Sequence, residues 1–282
     1  MKIEFTKDKI IKKYKVKYGE RFLLHNNPEV KSTQELDFDM IYDGRKISLM
    51  GYPKENKEAF GYIKALEKAN KIFDTVEYRL GNSGIPIEIS NLFEIREKWD
   101  RIRKTMNPDD DEMLTDMIFS MTGIIEDDEG LLDLAQRYCI IPYLFTGFYN
   151  REIGPREQFR TNGMVYNIFP LSDIPVVYTL NSEIMDEDEK KINFIGKEDP
   201  DFDRFSYIKV VKNRLDEELN NLSRSFEMKI NGYYIFSSDN TLKKMNMDVE
   251  ISITQLLNYK CKYFVTERDD DVEENIGEDN ND

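Results

Sequence analysis

Along residues 10–52 apolar and polar side chains alternate. Tyr14, Val16 and Tyr18 are separated by lysines, and Leu36, Phe38, Met40 and Tyr42 by acidic residues and Ile41. Ile47 and Leu49 follow the dipeptide Asp43-Gly44. A period of two puts one face of a strand on a core and the other in water. Asp-Gly suits the tight turn of a hairpin. The spacing then becomes helical at Phe60, Ile63, Leu66, Ala69 and Ile72. Two more strands are expected around 74–80 and 84–90, joined by Gly81-Asn82-Ser83-Gly84. Leu92, Ile95, Trp99, Ile102 and Met106 recur at steps of three and four, which predicts a helix with Trp99 as a core anchor. Asn91 stands at its N-cap with Glu94 three residues on, a variant of the capping box.

Further helices are expected over 109–125, behind the acidic start Asp109–Glu112, and over 129–141, ending at Pro142. From 159 to 198 the period returns toward two. A long helix is expected over 202–222, with Phe205, Ile208, Val211, Leu215, Leu219 and Leu222 on one side. Strands near 225–230, 233–238, 247–254 and 261–266 follow. The stretch 267–282 is acidic and nearly free of apolar residues, the composition of a disordered tail. The pattern is that of an α+β fold, with mainly antiparallel sheet and packed helices. It divides into a β-rich half with two helices (1–106), an acidic helical connector (107–150), a β-rich half with one long helix (151–266) and the tail.

One ungapped self-alignment suggests an internal duplication of a β-rich unit with one helix, 46–92 and 191–242. Residues 46–64 overlie 191–209 with identities at Lys46/Lys191, Ile47/Ile192, Gly51/Gly196, Phe60/Phe205, Tyr62/Tyr207, Ile63/Ile208 and Lys64/Lys209. Each helix is expected to be followed by two strands with a glycine near the turn (Gly84, Gly232) and an Asn after the second (Asn91, Asn240).

Composition narrows the chemistry. The 282 residues include 40 Lys+Arg, 55 Asp+Glu and one His, for a net charge of -15. The charge is concentrated in 107–134 (-10), 183–203 (-6) and 267–282 (-8), which leaves +9 on the rest. General nucleic-acid binding, which needs a surplus of cations, is not expected. Cys139 and Cys261 lie far apart with no CxxC pattern, so they read as buried free thiols of a reducing cytoplasm. No apolar run is long enough to span a bilayer.

His25 sits in Leu23-Leu24-His25-Asn26-Asn27-Pro28, the end of a strand entering a turn, which is a poor setting for a catalytic imidazole. Asp199, Asp201 and Asp203 begin like a calcium loop. Arg204 then stands where glycine is needed and Val210 where the closing glutamate is needed. The three carboxylates read instead as caps of the following helix. The aromatic runs Tyr143–Tyr149 and Tyr233–Phe236 read as core. Seven lysines between Lys2 and Lys17 read as the outward guard of an edge strand.

No residue therefore takes a catalytic, cofactor-binding or metal role, and no cofactor is implied. The expectation is a non-enzymatic, soluble, cytoplasmic protein-binding module, toxin-neutralising, adaptor or chaperone-like. It would set its acidic segments against a protein partner with a basic patch. The alternatives are a carboxylate-dependent hydrolase or magnesium-dependent enzyme, and a carrier of a hydrophobic ligand in a cleft between two β-rich halves.

Overall fold

The computed structural model describes residues 1–24, 28–52, 67–106, 112–137, 141–156, 158–166, 173–186, 189–214, 225–254 and 256–268. Its strands are β1 (Ile10–Leu24), β2 (Val30–Asp43), β3 (Lys46–Tyr52), β4 (Thr75–Leu80), β5 (Pro86–Ile89) and β6 (Phe159–Val165). They continue with β7 (Ile174–Asp186), β8 (Glu189–Glu198), β9 (Phe226–Ser237), β10 (Leu242–Ile253) and β11 (Leu257–Glu267). All eleven form one antiparallel sheet in the order β5-β4-β3-β2-β1-β11-β10-β9-β8-β7-β6. The described residues also form helices α1 (Leu92–Arg103), α2 (Glu112–Glu126), α3 (Asp128–Gln136), α4 (Ile141–Leu144) and α5 (Arg204–Arg214), and a helical stretch at 67–70 runs into the 3-10 turn Lys71–Asp74 before β4. The fold is thus α+β with sheet dominant. No helix of the described residues is long and apolar enough to cross a membrane.

Two meanders, β1–β5 and β6–β11, meet where β1 pairs with β11 from Tyr14↔Glu267 to Leu24↔Leu257. The lysine-rich first strand is therefore central, not an edge. It is hydrogen-bonded to β2 on one side and β11 on the other, and its outward Lys15 and Lys17 pair with Glu35 of β2. The Asp43-Gly44 hairpin forms as expected, with Gly44 at φ 58°.

The sheet is strongly curled, and one segment shows why. Tyr149 stacks on Phe5, packs edge-on to Phe236 of β9, and donates its backbone N–H to Ser83 in the β4–β5 turn. β4 and β9 are six strands apart in the sheet, about 29 Å if it were flat. One side chain and its own amide touch both, so the sheet wraps around the chain at 143–154. Phe148 packs on Tyr234 and Phe236, Tyr234 donates to the Tyr143 carbonyl, and Ser182 of β7 donates to the Ile153 carbonyl. A second internal tie lies across β2, β1 and β10. The register of β9 and β10 shifts between Leu242 and Lys244. There Leu242 donates its N–H to the Tyr42 hydroxyl and accepts from Tyr14 through its carbonyl, while the two hydroxyls bond at 2.9 Å.

Outside the sheet, α1 carries Trp99, 2% exposed, whose Nε1 donates to Thr122 of α2. Arg96 of α1 donates to the carbonyls of Ile125 and Glu126, capping a helix whose own last turn holds no cation. Asn91 precedes α1 but does not cap it with its side chain. Its amide bonds to Glu77 N–H and Thr75 C=O instead, extending the β4 ladder past the short β5. The unpaired edge of β4 outcompetes the helix for that side chain.

Other boundaries differ from expectation. The strands expected at 225–230 and 233–238 are one strand, so Gly232 lies mid-strand rather than at a turn, and Asn240 occupies the β9–β10 turn. Periodicity cannot register such a glycine as continuous strand. The helix expected to stop at Pro142 ends at Gln136, and Pro142 falls in the first turn of α4, where a missing N–H costs nothing. On α5 the buried face is Tyr207, Ile208 and Val211, while Phe205 is 56% exposed. Tyr207 is two positions on from Phe205, about 200° around a helix, so the packing of Tyr207 on Phe226 turns Phe205 outward. The helix expected around Phe60–Leu66 and the tail beyond Arg268 lie outside the described residues.

A Cβ at Gly232 would strike the carbonyl of Asn246 and the ring of Phe194, and the carbonyl cannot give way. Gly232→Ala is expected to cost about 1–3 kcal/mol in urea unfolding. Gly51→Ala, with nothing within 4 Å of the new carbon, is expected to stay within about 0.5 kcal/mol of the parent.

Candidate functional site

The inner face of the sheet is covered nearly throughout, but a cleft of about 230 Å³ remains over the junction of β2, β1 and β11. Strand register builds it in rows. Leu36, Val16 and Val265 lie abreast, then Gln34, Tyr18 and Tyr263, then Ser32, Glu20 and Cys261. The first row gives an apolar floor in Val16 and Leu36. The second gives ring surface, with Tyr18 and Tyr263 at 4.7 Å and Tyr143 at 4.9 Å from Tyr263. The third places a carboxylate on the inner face, where Glu20 accepts from the Tyr259 hydroxyl at 2.9 Å.

The opposite wall comes from the connector. Arg137, just past α3, gives Nε to Asp133 (2.9 Å) and Nη1 to Asp173 (2.6 Å), and its guanidinium lies 5.2 Å from the centre of the Tyr166 ring. Both ends of that cation are engaged. No Lys or Arg among the described residues pairs with Glu20. Glu20, Asp133 and Asp173 against Arg137 leave two negative charges around the cleft.

Burial, with Cys261 and Glu20 adding to it, raises the Tyr259 hydroxyl far above its ordinary value. Burial also raises Tyr143 and Tyr263, each helped by its neighbours in the cluster. The Cys261 thiol is pushed up to about 12, chiefly by burial. All four stay protonated and neutral at physiological pH. Burial works to lower Arg137, but Asp133 and Asp173 outweigh it and raise it.

A second surface lies on the connector before α3. On α2, Glu112, Asp116 and Phe119 fall at i, i+4 and i+7 on one side. Phe119 is 82% and the adjacent Met113 59% exposed. Glu112, Asp116 and Glu126 pair with no Lys or Arg among the described residues. The acids of 183–203 are differently placed: Glu183, Glu189 and Glu198 pair with Lys191, Lys243 and Arg204.

Asp203 accepts from Ser206 N–H and caps α5 as expected, whereas Asp199 accepts from Asp201 N–H in the turn before the helix. Glu112 opens α2, while Asp109–Asp111, His25 and Cys139 lie outside the described residues. Among the described residues no three His, Cys, Asp or Glu side chains gather as a metal site. Of the aromatic runs, Leu144, Phe145, Phe148, Tyr149, Tyr234 and Phe236 are core, whereas Tyr143 also lines the cleft. Sequence reasoning passed over Glu20. Its signal was there: the alternation Tyr14, Val16, Tyr18 continues inward to Glu20 and Phe22. No protein-family model matches the chain, and no characterised protein sequence matches it.

The buried phenols carry a pH dependence. Unfolded tyrosines release protons near 10.0 and an unfolded thiol near 9.0, whereas the folded groups hold theirs to higher pH. Between those limits the native state binds more protons than the unfolded chain, so stability falls as pH rises through that window. Tyrosinate absorbance in an alkaline titration is expected to appear largely in one cooperative step coincident with loss of circular dichroism. Gradual ionisation of every tyrosine in the folded protein would contradict the assignment.

Proposed function

We propose that the protein is a non-enzymatic binding module that docks a partner with a basic surface on the acidic helical connector. The observation that carries this reading is Phe119. A large apolar ring 82% exposed is costly to keep in water, and it stands on α2 with Glu112 and Asp116, which pair with no Lys or Arg among the described residues. The segment 107–134 contains ten acids and no Lys or Arg. An apolar anchor in a single-sign field suits a cationic, partly apolar partner, captured quickly by charge and held by the ring.

A second reading is a carrier with its cleft at the seam of two duplicated halves, and the matching registers of the two meanders support it. Each meander opens with three strands and then a helical segment, the short turn Lys71–Asp74 in the first and α5 in the second, followed by two strands in the first and three in the second, and the registers agree. Gly51 faces Phe38 and Gly196 faces Tyr178, while Ile47 faces Tyr78 and Ile192 faces Tyr234. The equivalences of Gly84 with Gly232 and of Asn91 with Asn240 are not retained, since those residues occupy different topological places. A volume of about 230 Å³ is below the roughly 300 Å³ at which ordinary ligand pockets begin, so the cleft suits one inserted group rather than a long chain.

The docking reading is tested by affinity capture from the native organism with the parent, Phe119→Asp and Ile11→Asp. Ile11 is equally apolar and 57% exposed but lies on the sheet. The expected outcome is one basic partner, retained by Ile11→Asp, lost with Phe119→Asp and weakened by salt. Retention of that partner by both variants, or no partner at physiological salt, would overturn it.

A further inference from the structure

We infer that the tyrosine-lined cleft is a receptor for a single organic cation, an alkylammonium or guanidinium group offered by a free amine or by a Lys or Arg side chain. Size gives the first constraint. The cleft, about 230 Å³, is somewhat larger than the roughly 150 Å³ cavity that admits benzene, which leaves room for one such group and its stem. Charge gives the second. Glu20 stands on the inner face with the Tyr259 hydroxyl as its only partner among the described residues, and Glu20, Asp133 and Asp173 outnumber Arg137 by two charges there. An apolar occupant would strip water from Glu20 and return nothing, which is unfavourable. An anion would need Arg137, whose Nε and Nη1 are already given to Asp133 and Asp173.

The rings supply the third. Tyr18 and Tyr263 lie side by side in the row next to Val16 and Val265, and tyrosine faces attract cations electrostatically. This protein already uses that interaction in the same cleft, where Arg137 covers Tyr166 at 5.2 Å. A cation placed beside Glu20 has a carboxylate for its charge, ring faces for its sides and an apolar floor for its stem. The phenols, kept neutral by their burial, add no charge of their own to the cleft.

The test is calorimetric titration of the full chain with n-butylammonium, 1-butanol and butyrate, with ethylguanidinium as a second cation. Saturable binding of the cations is expected, with the neutral and anionic analogues at least about tenfold weaker. Glu20→Gln, which keeps an acceptor for Tyr259, and Tyr263→Leu are each expected to weaken the amine by about tenfold. Equal binding of butanol, tighter binding of butyrate, or no saturable cation binding would overturn the inference. If either variant fails to fold, the comparison of probes on the parent protein decides alone. Blocked lysine and arginine peptides distinguish the sources: tighter binding of a peptide than of n-butylammonium points to a protein side chain, and the reverse to a free amine. No partner enters the titration, so its failure leaves the Phe119 docking reading standing.

Discussion

Everything inside this sheet depends on a short stretch of chain that the sheet cannot do without. Residues 143–154 answer backbone and side-chain groups from the β4–β5 turn, the first three residues, β7 and β9. Without them, strands so far apart in the ladder would have no common neighbour, and an eleven-stranded antiparallel sheet would present a wide apolar face to water. Tyr149 and Phe148 provide both the filling and the reason for the curvature. The connector is thus a structural keystone at one end and an exposed acidic surface at the other.

The charge distribution follows from the same geometry. On the convex face lysines and carboxylates sit on neighbouring strands and cancel, as in Lys260 with Glu250, Lys262 with Asp248 and Lys46 with Glu77. Such exposed pairs contribute little to stability. Their effect is on the field, since each pair cancels its own charge on the sheet. Glu20 inside and Glu112, Asp116 and Glu126 on α2 are among the carboxylates that pair with no cation of the described residues. A net charge of -15 read over the whole chain conceals this arrangement.

Much of the local structure was legible. Alternation located β1, β2 and β3, helical spacing located α1 with Trp99 inside, and the Asp-Gly turn fell where its chemistry places it. What escaped was decided by partners distant in sequence. Asn91 looks like a cap until the ladder of β4 claims its amide. Gly232 looks like a turn until Phe194 and Asn246 fill the space above it. The candidate site was less legible still. Its rings come from β1, β11 and the connector, and only the pairing of Tyr18 with Tyr263 makes them one surface. Glu20 carried a local signal, an acid in an inward register, but the register itself needs β11 to define inward.

The lysines of β1 invite one more thought. They would suit an edge strand, and in the finished protein β1 has neighbours on both sides. Its second neighbour, however, is made last, since Tyr14 waits for Glu267 and Leu24 for Leu257. That pairing has the highest contact order in the molecule, and closing so large a loop is slow. Any N-terminal meander that forms on the ribosome before β11 emerges has β1 as its open border. The row of cations is then a guard for the nascent chain, repelling other copies through the interval in which the seam is still unmade.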